Sequence, residues 1–185
     1  MPVTPNSQPS IPGPGLIFLI GMPGAGKTYW GERVAKQYEL PLIDLDEFVA
    51  MHEKASIAAL FAAYGENGFR EREHKHLRKV IETAQTPAII ACGGGTPCFN
   101  DNIQLMKEAG IVVYLETDIP TLTQQLMDSP EIRPLLKGRG DMAVYLAGIL
   151  RKRESFYKQA HHIFHTKCIS MTTFEEIVAS CTNRH

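Results

Sequence analysis

The segment Gly21-Met22-Pro23-Gly24-Ala25-Gly26-Lys27-Thr28 has the spacing G-x-x-x-x-G-K-[ST]. Glycines so placed let successive backbone N–H groups turn inward, and a helix N-terminus directly downstream adds partial positive charge, so the segment is built to cradle phosphates. In that pattern Lys27 reaches the β and γ phosphates, and the Thr28 hydroxyl ligates the Mg²⁺ that bridges them. The bland alternative, a glycine-rich turn between strand and helix, does not account for the Lys-Thr pair. No Asn-Lys-x-Asp guanine-reading segment occurs, which favours ATP over GTP.

Other residues have the right types for an acceptor. Asp44 and Asp46 close a short apolar run, and residues at the carboxyl ends of parallel strands border the ligand crevice. Because the chain turns near Leu45, one carboxylate is free to hold water on Mg²⁺ and the other to orient a hydroxyl; alternatively, Asp46 caps the next helix. Arg70 and Glu73 are three apart and share a helix face, where a pair can lock the guanidinium's direction. Most of the charges around them, from Arg72 to Lys79, read as an ordinary solvated surface. Gly93-Gly94-Gly95 contributes no side chain to packing, so close backbone approach to a ligand is the better reason for it. Arg133, beside Pro134, and Arg151 and Arg153 supply guanidinium groups suited to carboxylate and phosphate.

These groups need a scaffold. From Leu16 onward, short apolar runs alternate with longer helical segments, the signature of an α/β fold with βαβ units on a parallel sheet. Strands are expected at 16–20, 42–45, 88–92, 111–115 and 162–165. Helices are expected at 27–38, 57–64, 66–84, 100–109, 119–127, 141–160 and 174–181. Residues 1–15 hold five of the twelve prolines and no charged side chain, which reads as a flexible leader. A mobile surface loop, the candidate lid, fits 128–140, and 16–185 reads as a single domain.

Composition narrows the function. With 19 Lys+Arg against 20 Asp+Glu among 185 residues, the net charge of −1 argues against a nucleic-acid or anionic-membrane binder. The longest apolar runs, near 16–20 and 111–115, fall far short of the ~20 residues that span a bilayer. The N-terminus lacks the features of a secretory signal, so the cytoplasm is the expected compartment. Four cysteines without a Cys-x-x-Cys pair read as free thiols, and His161, His162 and His165 lie on a strand-like segment that points neighbours to opposite faces. No exposed apolar stripe demands a partner subunit, so a monomer is expected.

Taken together, Gly21 to Thr28, Asp44-Leu45-Asp46, Ser56-Ile57, Phe61, Gly65-Glu66, Phe69-Arg70, Glu73, the three glycines, Arg133-Pro134-Leu135-Leu136, and Arg153 with Tyr157 and Ala160 resemble the shikimate kinase family from about Leu16 onward. The phosphate loop is generic; the ordered set of the others is specific. The resemblance implies a P-loop kinase fold with a five-stranded parallel sheet in order 2-3-1-4-5, and transfer of the γ-phosphoryl of MgATP to a ring hydroxyl of shikimate. It implies that Arg70, Arg153 and the Gly93, Gly94, Gly95 backbone hold the acceptor's carboxylate and ring, and that Asp46 positions the accepting hydroxyl. It further implies that Glu73 orients Arg70, Asp44 helps hold Mg²⁺ through water, and Arg133 comes down with the lid while Lys27 clamps phosphate. A related kinase for another hydroxy acid such as gluconate, or a nucleotide-binding regulator without turnover, are the alternatives. Thr28 stands where many relatives have Ser, Lys54 where a glycine is frequent and Ser155 where a proline is usual. Gln124-Gln125 lies around the place of an adenine-stacking arginine, so either adenine stacking is weaker or another group such as Arg139 supplies it.

Overall fold

The computed structural model describes residues 15–128 and 141–182. The leader expected at 1–15 and the loop expected at 128–140, with Arg133 and Arg139, lie outside the described residues apart from Gly15 and Asp128. Five parallel strands, β1 (Leu16–Ile20), β2 (Leu42–Asp44), β3 (Ala88–Ala91), β4 (Gly110–Glu116) and β5 (His162–His165), form one sheet in the order β2-β3-β1-β4-β5. The central strands β1, β3 and β4 are continuous apolar runs because both of their faces are covered; Leu16, Ile17, Phe18, Ile89, Ile90 and Val112 are all 0% exposed. Tyr114 and Tyr157 stack beside this sheet with ring centroids 5.0 Å apart.

Seven helices are described: α1 (Lys27–Tyr38), α2 (Leu45–Glu53), α3 (Ile57–Thr83), α4 (Asn102–Ala109), α5 (Ile119–Asp128), α6 (Met142–Tyr157) and α7 (Met171–Thr182). A 3₁₀ turn, Thr96–Cys98, follows the glycine run. Local chemistry starts several of them. Asp44, Ser56 and Asp141 each accept backbone N–H bonds at the N-termini of α2, α3 and α6. Gly26, left-handed at φ 79°, opens α1 directly behind the phosphate loop.

One difference from the sequence reading bears on the site. Helix α2 is absent from the expected helix ranges and enters that reading only as a helix that Asp46 would cap, and β2 ends at Asp44 rather than Leu45, because Asp44 is both the last strand residue and the cap of α2. Helix α3 is one long element broken at Gly65, whose φ of 66° and ψ of −175° are non-helical; this matches the two helical segments expected on either side of that residue. Phe61 before the break stacks on Phe69 after it, with centroids 4.3 Å apart.

Candidate active site

The carboxyl ends of β1, β2 and β3 lead into the phosphate loop, Asp44 and the glycine run respectively, so three motifs distant in sequence converge at one edge of the sheet. In the phosphate loop Gly21, Gly24 and Gly26 have φ of 144°, 82° and 79°, which side-chain-bearing residues rarely adopt. Lys27 Nζ folds over this loop and donates to the carbonyls of Gly21 at 3.0 Å and Met22 at 2.9 Å. Burial pushes the Lys27 ammonium down to about 8, against the pull of Asp46 in the opposite direction.

Thr28 Oγ1 donates to Asp44 Oδ2 at 3.0 Å, while Asp44 Oδ1 accepts from the N–H groups of Asp46 and Glu47. Asp44 is therefore the cap, and the alternative that Asp46 caps α2 is not what the structure has. Asp46 sits in the first turn of α2 with its carboxylate against the glycine run: a Cβ on Gly93 would stand 2.7 Å from Asp46 Oδ1 and 3.1 Å from Glu73 Oε1. Burial, then the Glu73 and Asp44 carboxylates, push Asp46 up to about 6, with Lys27 and Arg70 pulling it down. Lys27, Thr28, Asp44, Asp46 and Gly93 line a crevice of about 450 Å³, and Gln125 of α5 borders it.

Beside this crevice, Arg70 is 7% exposed and donates from Nη1 to Glu73 Oε2 at 2.8 Å. The rings of Phe99, Phe69 and Phe61 lie 4.6, 5.1 and 5.6 Å from its Cζ. Arg153 of α6 is within electrostatic reach of Lys27 and of Cys98. One turn further on, the Tyr157 hydroxyl donates to the Gly94 carbonyl, which ties that helix to the glycine run. Arg70 thus stands against the glycine run at Gly95, the Arg153 helix is tied to it at Gly94, and Asp46 meets it at Gly93.

A model described as shikimate kinase matches residues 23–183. The shikimate kinase of Azobacteroides pseudotrichonymphae is 40% identical over 162 residues, covering 86% of this chain and 95% of the relative. That of Phocaeicola vulgatus is 39% identical over 150 residues, covering 80% and 85%. The chain belongs to the shikimate kinase family. Among solved shikimate kinases, that of Bacteroides thetaiotaomicron matches with a TM-score of 0.78 at 34% identity, covering 89% of this chain and 94% of the other. That of Acinetobacter baumannii, in complex with shikimate, matches with a TM-score of 0.77 at 29% identity, covering 91% and 93%. A shikimate kinase is an ATP-dependent kinase, and the strand order and phosphate loop of this chain are those of such an enzyme.

The residues singled out in the sequence fall into three groups. Gly21, Gly24, Ala25, Gly26, Lys27, Thr28, Asp44, Asp46, Arg70, Glu73, Gly93, Gly94 and Gly95 belong to the convergent edge just described, with Arg153 beside it. Arg133 lies outside the described residues. Of the two glutamines at the expected adenine contact, Gln125 borders the crevice, whereas Gln124 Nε2 bonds Asp128 Oδ2 at 2.9 Å on the exposed side of α5. Sequence reasoning missed Thr96, whose hydroxyl donates to Glu73 Oε1 at 2.7 Å, and the ring of Phe99 over Arg70. A hydroxyl residue directly behind a glycine run was the available signal for Thr96.

Proposed function

We propose that the chain transfers the γ-phosphoryl of ATP, bound with Mg²⁺, to a ring hydroxyl of shikimate, giving shikimate 3-phosphate. The observation that carries this reading is that Asp46 lines one crevice with Lys27 and the phosphate loop while its carboxylate meets, at Gly93, that of Glu73, the partner of Arg70. A carboxylate raised to about 6 is still largely ionised near neutrality and is a stronger base than an ordinary one, which suits it to accept a hydroxyl proton. Arg70, Arg153 and the backbone of Gly93, Gly94 and Gly95 hold the acceptor carboxylate and ring. Lys27 trades its two carbonyl bonds for phosphate oxygens and stabilises the charge that spreads over them.

The oxygen donors Thr28 Oγ1 and Asp44 Oδ2, 3.0 Å apart, suit Mg²⁺, with Thr28 as direct ligand and Asp44 acting through water. When bound, the ion would offset the negative charge of the nucleotide phosphates. Glu73 orients Arg70, and Arg133 joins the transferring phosphoryl from the lid at 128–140. Residues 16–185 act as one kinase domain behind a short leader, as a cytoplasmic monomer with no nucleic-acid or membrane partner. Among the described residues no helix is long and apolar enough to cross a membrane.

A coupled ADP-release assay with shikimate, gluconate and no acceptor tests the reading. ADP release stimulated by shikimate, with a phosphate monoester in the product by ³¹P NMR, is expected. Stimulation by gluconate instead, or ATP binding without acceptor-stimulated release, would overturn it.

A further inference from the structure

Glu73 is a fully buried carboxylate, and each of its oxygens has one donor: Arg70 Nη1 at 2.8 Å on Oε2 and Thr96 Oγ1 at 2.7 Å on Oε1. We propose that Thr96 is a positioning residue for acceptor binding: its hydroxyl fixes the Glu73 carboxylate, which in turn aims the Arg70 guanidinium at the acceptor. The inference rests on the shikimate kinase reading and assigns a role to a residue outside the family motifs quoted above.

Three observations support it. First, Thr96 is itself fully buried and its position is set from α3. Asn102 Nδ2 donates to the Thr96 carbonyl at 2.8 Å, Asn102 Oδ1 lies 2.6 Å from His74 Nδ1, and Asn100 Nδ2 donates to the Arg70 carbonyl at 2.9 Å. The turn is thereby clamped to the same helical stretch that carries Arg70 and Glu73.

Second, Arg70 has few other polar restraints. Its Nε is buried with no partner among the described residues, and its Nη2 reaches the half-exposed Glu66 at a long 3.5 Å. The surrounding rings attract the guanidinium but do not fix its in-plane direction. Glu73 does, through a short charge-assisted bond, provided that its own rotation is stopped from the other side.

Third, the Thr96 hydroxyl, Glu73 Oε1 and Asp46 Oδ1 all meet at Gly93, at 3.1, 3.1 and 2.7 Å from the place a Cβ would occupy. A carboxylate that slipped toward Arg70 would therefore change the floor on which Asp46 rests. Removing the hydroxyl leaves a buried Oε1 without its donor, and Glu73 then turns to recover one.

The test is steady-state kinetics on the full chain, comparing wild type, Thr96→Val, Thr96→Ser, Arg70→Ala and the Thr96→Val/Arg70→Ala double variant. Val removes the hydroxyl at nearly constant volume and is expected to raise the shikimate KM about tenfold, with the ATP KM within about twofold of wild type. Ser keeps the hydroxyl and is expected to restore the shikimate KM. In the Arg70→Ala background, Thr96→Val is expected to change the shikimate KM less than about twofold, since a residue acting through Arg70 has nothing left to act on. An unchanged KM in Thr96→Val, an additive effect in the double variant, or failure of Ser to restore would each overturn the proposal. Should Thr96→Val not fold, Thr96→Ala, which also lacks the hydroxyl, is read by the same criteria. Absence of shikimate turnover in the wild type would overturn the reading of the function instead, so the two failures are distinct.

Discussion

Arg70 and Gly95 share a space that has room for one side chain only: a Cβ on Gly95 would stand 2.6 Å from Arg70 Cζ. Gly95 has an ordinary φ of −94°, so an alanine is unstrained there and any penalty comes from the contact itself. Arg70 cannot easily yield, because Glu73 holds one end of its guanidinium and three rings surround it. Gly95→Ala is expected to raise the shikimate KM about tenfold or more and leave the ATP KM nearly unchanged, as read by initial rates with each substrate varied. Equal losses for both substrates would place the damage in the phosphate cradle instead.

The pH dependence follows from two displaced groups. In the proposed reaction Asp46, raised to about 6, works ionised to orient the accepting hydroxyl, and Lys27, lowered to about 8, works protonated to hold phosphate. Activity is lost below the first value as Asp46 gains its proton and above the second as Lys27 gives its own up. A bell-shaped kcat/KM with limbs near those values is expected. Asp46→Asn should lower turnover strongly, flatten the acid limb and move the alkaline limb to lower pH, because the Asp46 charge is what pulls the Lys27 ammonium back up.

The hydroxyl of Thr28 is assigned to Mg²⁺ and donates to Asp44 Oδ2 in this structure. Thr28→Val keeps the volume and removes the oxygen. Half-maximal activity should then require about tenfold more free Mg²⁺, the shift expected for losing one charge-assisted interaction. A magnesium titration at saturating ATP reads this directly, and an unchanged midpoint would remove Thr28 from the metal site.

Tyr157 is fully buried, and its hydroxyl serves the Gly94 carbonyl. Tyr157→Phe leaves that carbonyl short of a donor, a cost of about 1–3 kcal/mol. For a chain of this size the melting temperature, followed by circular dichroism, should fall by roughly 2–10 °C. Because Arg153 rides one turn before Tyr157, a rise in the shikimate KM is expected alongside.

Sequence periodicity resolved what is decided locally. Strands β1, β3 and β4 are read from unbroken apolar runs, since burial on both faces leaves no place for polar alternation. The phosphate loop and the Arg70–Glu73 pair are likewise matters of short spacing. Helix α2 escaped because Asp44 ends a strand and caps a helix at once, so no loop residues announce the change; the buried i, i+4 pair Leu45 and Val49 was its only mark. Thr96 escaped for a different reason: its partner Glu73 lies 23 residues earlier, and no local period reports a contact across that distance.

The break in α3 bears on any attempt to stabilise this enzyme by replacing glycines. At Gly65 a new methyl group would meet nothing within 4 Å, so by packing alone the site invites alanine. The backbone forbids it: a φ of 66° with ψ of −175° is a conformation open almost solely to glycine, and a side chain there would cost on the order of 1–3 kcal/mol. Relief of that cost would straighten the helix and pull Phe61 off Phe69, loosening the aromatic wall around Arg70. An engineer guided by empty volume would thus pick a substitution that trades binding for rigidity in the wrong place.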